Sequence, residues 1–312
     1  ALDRTAVCRR LSKYKPFVIR STHAAGPNRG PHNRSYWFYK RMAPVSHRYG
    51  AGFGVEPPGG DLTLDELRQE LFEDASAGAN HIFSYFQNYK LLPHTVAEYR
   101  RVLRPHERTL VDIGILYPTS QLLLEMSPFP PDQIPFCSAG REYFDYDVVD
   151  ENMIGWGMLG DYKVLVQTGG KLLEADTIGR IDRWVRAGGL LILRADSPIE
   201  SVEGDRTMGL TWHRGAGKDV AGGKATLWPA GRGAVARIPF KSVQTYLAAV
   251  VAVLREAGDR LPALKRLDGF DGQADGTWTT DFPTCRLRYN VESRRTTIHP
   301  RTRRPRTRNA EQ

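Results

Sequence analysis

A chain of 312 residues, 41% of them hydrophobic and 10% aromatic, carries enough apolar material for two domains with cores of their own, which excludes a wholly disordered protein. No apolar run approaches the roughly 20 residues of a membrane helix. The opening Ala1-Leu2-Asp3-Arg4 lacks a signal peptide's apolar stretch, so a soluble, cytoplasmic protein without a membrane partner is expected. The net charge of +9 would suit nucleic acid, but seven arginines between Arg294 and Arg308, opposed only by Glu311, place +6 of it in residues 293–312. A body so close to neutrality lacks the basic face that phosphate neutralisation needs, and only the tail, expected to be disordered, would bind nucleic acid in a salt-dependent way.

Lys15 to Ser21 is a short apolar run closed by the Gly26-Pro27-Asn28-Arg29-Gly30-Pro31 loop, and it predicts a buried strand. Arg34 to Arg48 repeats Tyr36, Phe38, Tyr39, Met42 and Val45 mostly at helical spacing, with Pro44 expected to kink or shorten the helix. The stretch Tyr49-Gly50-Ala51-Gly52-Phe53-Gly54-Val55-Glu56-Pro57-Pro58-Gly59-Gly60 then runs small residues and β-formers up to one carboxylate and stops at a double proline. Glu56 is therefore expected at the carboxyl end of a strand, where (β/α) barrels keep their chemistry. The plainer reading is an acid at an ordinary strand-to-loop junction.

Thr63 and Glu66 form a capping box ahead of a helix that carries Leu64, Leu67 and Leu71 on one face. Ala79 to Tyr89 predicts a strand that turns polar towards its end, and a third helix is expected from about Pro93 to Leu103. Strand and helix alternate three times within about a hundred residues, which implies parallel buried strands. The strands end in Arg20, Ser21 and His23, in Glu56, and in Gln87, Asn88 and Tyr89. Planar hydrogen-bonding groups and aromatic faces gathered at one sheet edge suit a carbohydrate, although such residues also cap loops.

The alternation restarts near Thr109, with strands at Leu110–Leu116, Tyr143–Val149, Tyr162–Gln167 and Leu190–Leu193 and an amphipathic helix from Asp176 to Ala187. A doubly wound domain is expected. Its loops offer no serine or cysteine elbow, and neither Gly169-Gly170 nor Gly188-Gly189 has the spacing of a dinucleotide fingerprint, so a structural role follows. Cys8, Cys137 and Cys285 follow no metal-ligand spacing and are expected as reduced buried thiols. Residues 204–240 hold short alternating segments, Tyr246 to Ala257 a closing helix, and Asp268 to Asn290 the first strands of a β module that the arginine tail interrupts.

Tyr49 to Tyr89 and Leu110 to Leu193, in this order, resemble the end of a barrel glycosidase joined to a glutamine-amidotransferase-like domain, as in the family 42 β-galactosidases. The resemblance implies an α/β fold: residues 1–107 as the C-terminal part of a (β/α)8 barrel, 108–262 as a doubly wound, flavodoxin- or amidotransferase-like domain, 263–292 as an incomplete β module and 293–312 as the basic tail. It makes Gly52 to Pro58 the seventh strand, Gly78 to Tyr89 the eighth, and Glu56 the nucleophile of a retaining β-galactosidase-type hydrolase. On this reading Arg20, Tyr85, Gln87 and Asn88 hold sugar hydroxyls, Trp37 or Tyr89 offers a stacking face, no metal or organic cofactor is required, and the second domain mediates trimer contacts.

The family takes its general acid, about 5 Å from the nucleophile in retaining enzymes, from an earlier strand that this chain does not match, so a piece of a longer enzyme is expected. Asp61, Asp65 and Glu66 suit caps better than that role. The alternative is a non-catalytic carbohydrate-binding or oligomerisation subunit.

Overall fold

The computed structural model describes residues 4–11, 13–14, 18–22, 34–56, 62–83, 88–95, 99, 108–127, 130–204 and 217–301. Helix α1 (Arg4–Leu11) precedes strand β1 (Val18–Thr22), helix α2 (Arg34–Arg48), strand β2 (Gly52–Glu56), helix α3 (Leu64–Ser76) and strand β3 (His81–Ile82). The three strands form a parallel sheet in the order β1, β2, β3. Phe53 and Val55 point into the core beside Trp37, Tyr39 and Val45 of α2.

Pro44 sits inside α2, and the helix continues to Arg48. The expected shortening does not occur, because Met42, Ala43 and Val45 are buried around it and their packing offsets the hydrogen bond a proline cannot donate. The capping box forms as read: Thr63 Oγ1 accepts from Glu66 N at 3.2 Å, and Glu66 Oε2 accepts from Thr63 N at 2.8 Å. Of the strand expected over residues 79–89, His81 and Ile82 form β3 while 84–87 lie outside the described residues, as does most of the third predicted helix.

The second sheet has seven strands: β4 (Ile113–Tyr117), β5 (Asp147–Asp150), β6 (Val164–Val166), β8 (Leu190–Arg194), and the later β10 (Lys218–Val220), β11 (Ala225–Ala230) and β12 (Gly233–Ile238). A separate two-stranded ribbon pairs β7 (Leu172–Leu173) with β9 (Glu200–Ser201). In the large sheet β5, β4, β6, β8 and β12 are parallel neighbours in that order, and the β10–β11 hairpin adds an antiparallel edge. Every residue of β4, β5, β6 and β8 is buried, as expected for a sheet covered on both faces. The covering helices are α4 (Thr119–Leu124), α5 (Gln133–Gly140), α6 (Glu151–Gly155), α7 (Ala175–Arg186) and α8 (Val243–Arg260).

The chain closes with an antiparallel sheet of β13 (Thr277–Asp281), β14 (Cys285–Asn290) and β15 (Arg295–Pro300). Strand β15 corrects the expectation that the module stops at 292 and that the segment from 293 is disordered, as far as residue 301; residues 302–312 lie outside the described residues. Alternating Thr296 and Ile298 pair with Tyr289 and Leu287 of β14, and the neighbouring arginines find carboxylates. Arg286 Nε donates to Asp281 at 2.7 Å, and Arg301 contacts Asp281 at 2.9 Å and Asp268 at 3.3 Å. This sheet packs on α3, where Phe72 stacks on Tyr289 with ring centroids 4.8 Å apart.

One buried cation joins the units. Lys40 on α2 is wholly buried, and its Nζ lies 2.9 Å from Asp147 and 3.4 Å from Asp145, with Thr109 Oγ1 also at 3.4 Å. Burial disfavours the ammonium, but the charges of Asp145 and then Asp147 outweigh it and hold the lysine above its ordinary pKa. Asp145 also accepts from Tyr36 at 2.8 Å and from Thr280 of β13 at 3.0 Å. Replacing Lys40 by Met strands two buried carboxylates, and Lys40→Met is expected to lose about 3–5 kcal/mol in urea unfolding.

Helix α3 carries the opposite case. Asp74 is buried with neither carboxyl oxygen hydrogen-bonded. Burial first, and then the charge of Glu70, push its pKa well above the carboxylate range. A folded-state value above the unfolded one gives stability that is full at low pH and lost as pH rises towards the folded value. The Asp74→Asn variant is therefore expected to match the unsubstituted protein near pH ~4 and to exceed it increasingly above, read from the urea midpoint at each pH.

Candidate active site

Strand alternation divides the small parallel sheet into a buried face and an uncovered one. A Cβ added at Gly52 would meet the His81 ring and Val18 at 3.0 Å, and one at Gly54 would meet Val18 at 3.2 Å and His81 at 3.4 Å. Val18, Gly52, Gly54 and His81 therefore share the face opposite Phe53 and Val55. Glu56, two residues beyond Gly54, falls on it too. This face is open among the described residues: Val18 is 41% exposed, His81 is exposed, and Phe83 is 48% exposed.

Register brings the strand ends together. Thr22 pairs with Glu56 across β1 and β2, and Val55 pairs with Ile82 across β2 and β3. Phe83 donates its N–H to Val55 O at 3.0 Å, which carries the pairing one residue further and stands Phe83 level with Glu56. Glu56, half-buried at the end of the central strand, thus stands in register between Thr22 and Phe83. Asn80 holds the opposite, amino end of these strands, its Oδ1 accepting from Phe53 N at 3.0 Å and contacting His81 Nδ1 at 2.5 Å.

The residues singled out from the sequence fall in different places. Arg20 lies in β1, paired with Gly54. Asn88 is at the same end of the sheet as Glu56, yet it is buried, and its Oδ1 accepts from Leu62 N at 3.1 Å. It ties the segment after β2 to the segment after β3. Tyr89 beside it is 55% exposed. Trp37 is corrected: its side chain is completely buried in α2, edge-on to Phe38 at 4.9 Å and tilted against Tyr117 at 5.8 Å, so no ring face remains for a sugar. His23, Tyr85 and Gln87 lie outside the described residues.

Sequence reasoning passed over Phe83 because it stood inside an apolar run. The signal that would have found it is the period of two from His81, which sends Phe83 to the same face as Glu56.

The carboxyl edge of the large sheet is a second place where a ligand could sit, at the point between β4 and β6 where the chain reverses its direction of growth. Its own side chains tie that point together. Gln121 Oε1 accepts from Lys171 N and from Leu172 N, while Glu151 accepts from Ser120 N at 2.7 Å and from Glu174 N at 2.9 Å. Gln133 Nε2 bridges Leu116 O at 2.7 Å and Thr168 Oγ1 at 3.0 Å. Arg194 is spent on Asp132 at 2.7 Å and Asp196 at 2.8 Å, with its guanidinium over the Phe240 ring. Cys137 lies buried in α5, and burial raises its thiol pKa, the opposite of what a nucleophile requires.

Several solved glycoside hydrolases share this fold. The β-galactosidase of Rahnella sp. R3 superposes with a TM-score of 0.61 at 10% identity, over 90% of this chain and 56% of that one. The β-galactosidase of Bacillus circulans sp. alkalophilus gives 0.61 at 11% identity, over 91% and 55%. A GH42 exo-carrageenase from Bacteroides ovatus gives 0.56 at 12% identity, over 93% and 43%. The chain therefore has the α/β fold of a region spanning about half the length of these enzymes. No protein-family model matches the sequence, and no curated protein does.

Asn88→Ala removes the acceptor of the Leu62 amide, so that amide is expected to exchange with deuterium at least about tenfold faster, a loss of roughly 1.4 kcal/mol of local protection. Unchanged exchange would show that Asn88 does not hold the loop beside Glu56.

Proposed function

We propose that this chain is the C-terminal part of a family 42-type glycoside hydrolase of the retaining, β-galactosidase class, with Glu56 as its nucleophile. The observation that carries the reading is the position of Glu56: a carboxylate at the carboxyl end of the central parallel strand, on a glycine-lined face that is open among the described residues, in a fold shared over nine-tenths of the chain with such enzymes. On this reading β1, β2 and β3 are the last strands of a (β/α)8 barrel and their open face is the barrel interior. A parallel sheet is stable when both faces are covered, and further strands of the same barrel would cover this one. The seven-stranded unit is then an amidotransferase-like domain of flavodoxin-type strand order, with trimer contacts as its role. Its tied carboxyl edge fits a structural part.

In the proposed chemistry the Glu56 carboxylate attacks the anomeric carbon, and the bond to the leaving oxygen breaks with both electrons going to that oxygen. Protonation of the leaving group falls to an acid outside the matched strands. Arg20, Tyr85, Gln87 and Asn88 would shape the sugar pocket from the strand ends, directly or by holding loops. Tyr89 or Phe83 would offer the aromatic face.

A leaving group that departs without protonation tests Glu56 independently of the acid. Incubation with a dinitrophenyl fluoro-β-galactoside is expected to release dinitrophenolate and leave one fluorogalactosyl group on Glu56, seen by mass spectrometry of the digest, with no labelling of Glu56→Gln. Labelling of the Gln variant, or of another residue, would remove Glu56 from the mechanism.

A further inference from the structure

A small cavity of about 10 Å³ lies where α3, α5 and the C-terminal sheet meet, lined by Tyr36, Glu73, Cys137, Arg141, Tyr146 and Trp278 among others. All six side chains are buried. Several of them are already engaged. Tyr36 donates to Asp145 at 2.8 Å, Arg141 donates to Thr279 O and to Thr280 Oγ1 at 2.6 Å each, and Glu73 Oε1 accepts from Gln69 at 3.1 Å. Two polar atoms of the lining are left without a protein hydrogen bond, Glu73 Oε2 on α3 and the Trp278 indole Nε1 on β13, and a third, the Tyr146 hydroxyl just before β5, has the Cys137 thiol beside it.

Those three atoms define what fits. The indole N–H is a donor only, the Glu73 carboxyl, whose pKa burial raises, offers an acceptor oxygen or an O–H, and the hydroxyl can act either way. A cation would face the indole hydrogen and the nearby Arg141 guanidinium. A neutral molecule that both donates and accepts meets all three, and a volume of about 10–15 Å³ admits one water and nothing larger.

We propose that one water molecule occupies this cavity as a permanent part of the fold, accepting from Trp278 Nε1 and donating to Glu73 Oε2, with the Tyr146 hydroxyl as its third partner. It joins the helix that follows Glu56 to the C-terminal sheet, two parts that also meet through the stacking of Phe72 on Tyr289 and through the Tyr99 hydroxyl, which reaches Arg68 O at 3.4 Å and Thr296 Oγ1 at 2.5 Å. Leaving a buried donor and a buried acceptor unmatched costs about 1–3 kcal/mol each, which the water recovers.

Two measurements on the unsubstituted full chain test this. A high-resolution crystal structure is expected to show a density peak within hydrogen-bond distance of both Trp278 Nε1 and Glu73 Oε2. In protein with ¹⁵N-labelled tryptophan, the Trp278 indole N–H is expected to show magnetisation transfer from a long-lived water, the resonance being assigned by its loss in Trp278→Phe. A direct Glu73–Trp278 hydrogen bond, no peak between them, or an indole N–H without transfer would overturn the proposal. Should Trp278→Phe fail to fold, the crystal density alone decides.

Discussion

The buried ammonium of Lys40 is the constraint on which the rest of the arrangement turns. Helix α2 covers the inner face of the strand that ends in Glu56, and Lys40 fixes that helix against Asp145 and Asp147 at the start of β5. Asp145 then reaches Thr280 of the C-terminal sheet, so one carboxylate is shared among three parts of the molecule. Buried ion pairs contribute little net stability, because desolvation cancels much of the attraction. What they supply is orientation: few other arrangements satisfy a charge that water cannot reach.

That orientation determines which face of the small sheet is free. Phe53 and Val55 are committed to α2, and a shift of register by one residue would expose them, so Glu56 is held on the opposite face by the packing of its neighbours. Gly52 and Gly54 keep that face low beneath the carboxylate, with His81 and Val18 close enough to forbid larger side chains without displacement. The open face is the physical ground for the hydrolase reading. It offers a carboxylate, an aromatic ring and a shallow floor at one end of a parallel sheet.

Much of this was legible in the sequence because local signals and tertiary packing agree. The capping box at Thr63 and the amphipathic period expected from Asp176 to Ala187 each act over a few residues, and the structure keeps both. Pro44 misled because burial on both sides of it outweighs the local cost. The arginine-rich segment misled because charge was counted without its partners: Asp268 and Asp281 are distant in sequence from Arg301, and with them residues 295–300 become a strand. Trp37 is aromatic and adjacent in sequence to the predicted strands, but residue type does not say whether a side chain faces the core or solvent, and its ring is buried. The Lys40 pairing joins residues more than a hundred positions apart, which no local pattern reports.

The central claim is that a sugar ring binds on the Gly52–Gly54 face with its anomeric carbon at Glu56. A crystal structure of the protein soaked with galactose measures this directly. The account predicts the pyranose above the two glycines, its first carbon within contact of the Glu56 carboxylate and one face against Phe83 or Tyr89. Galactose bound elsewhere on the chain, or a Glu56 side chain turned away from that face, would contradict it.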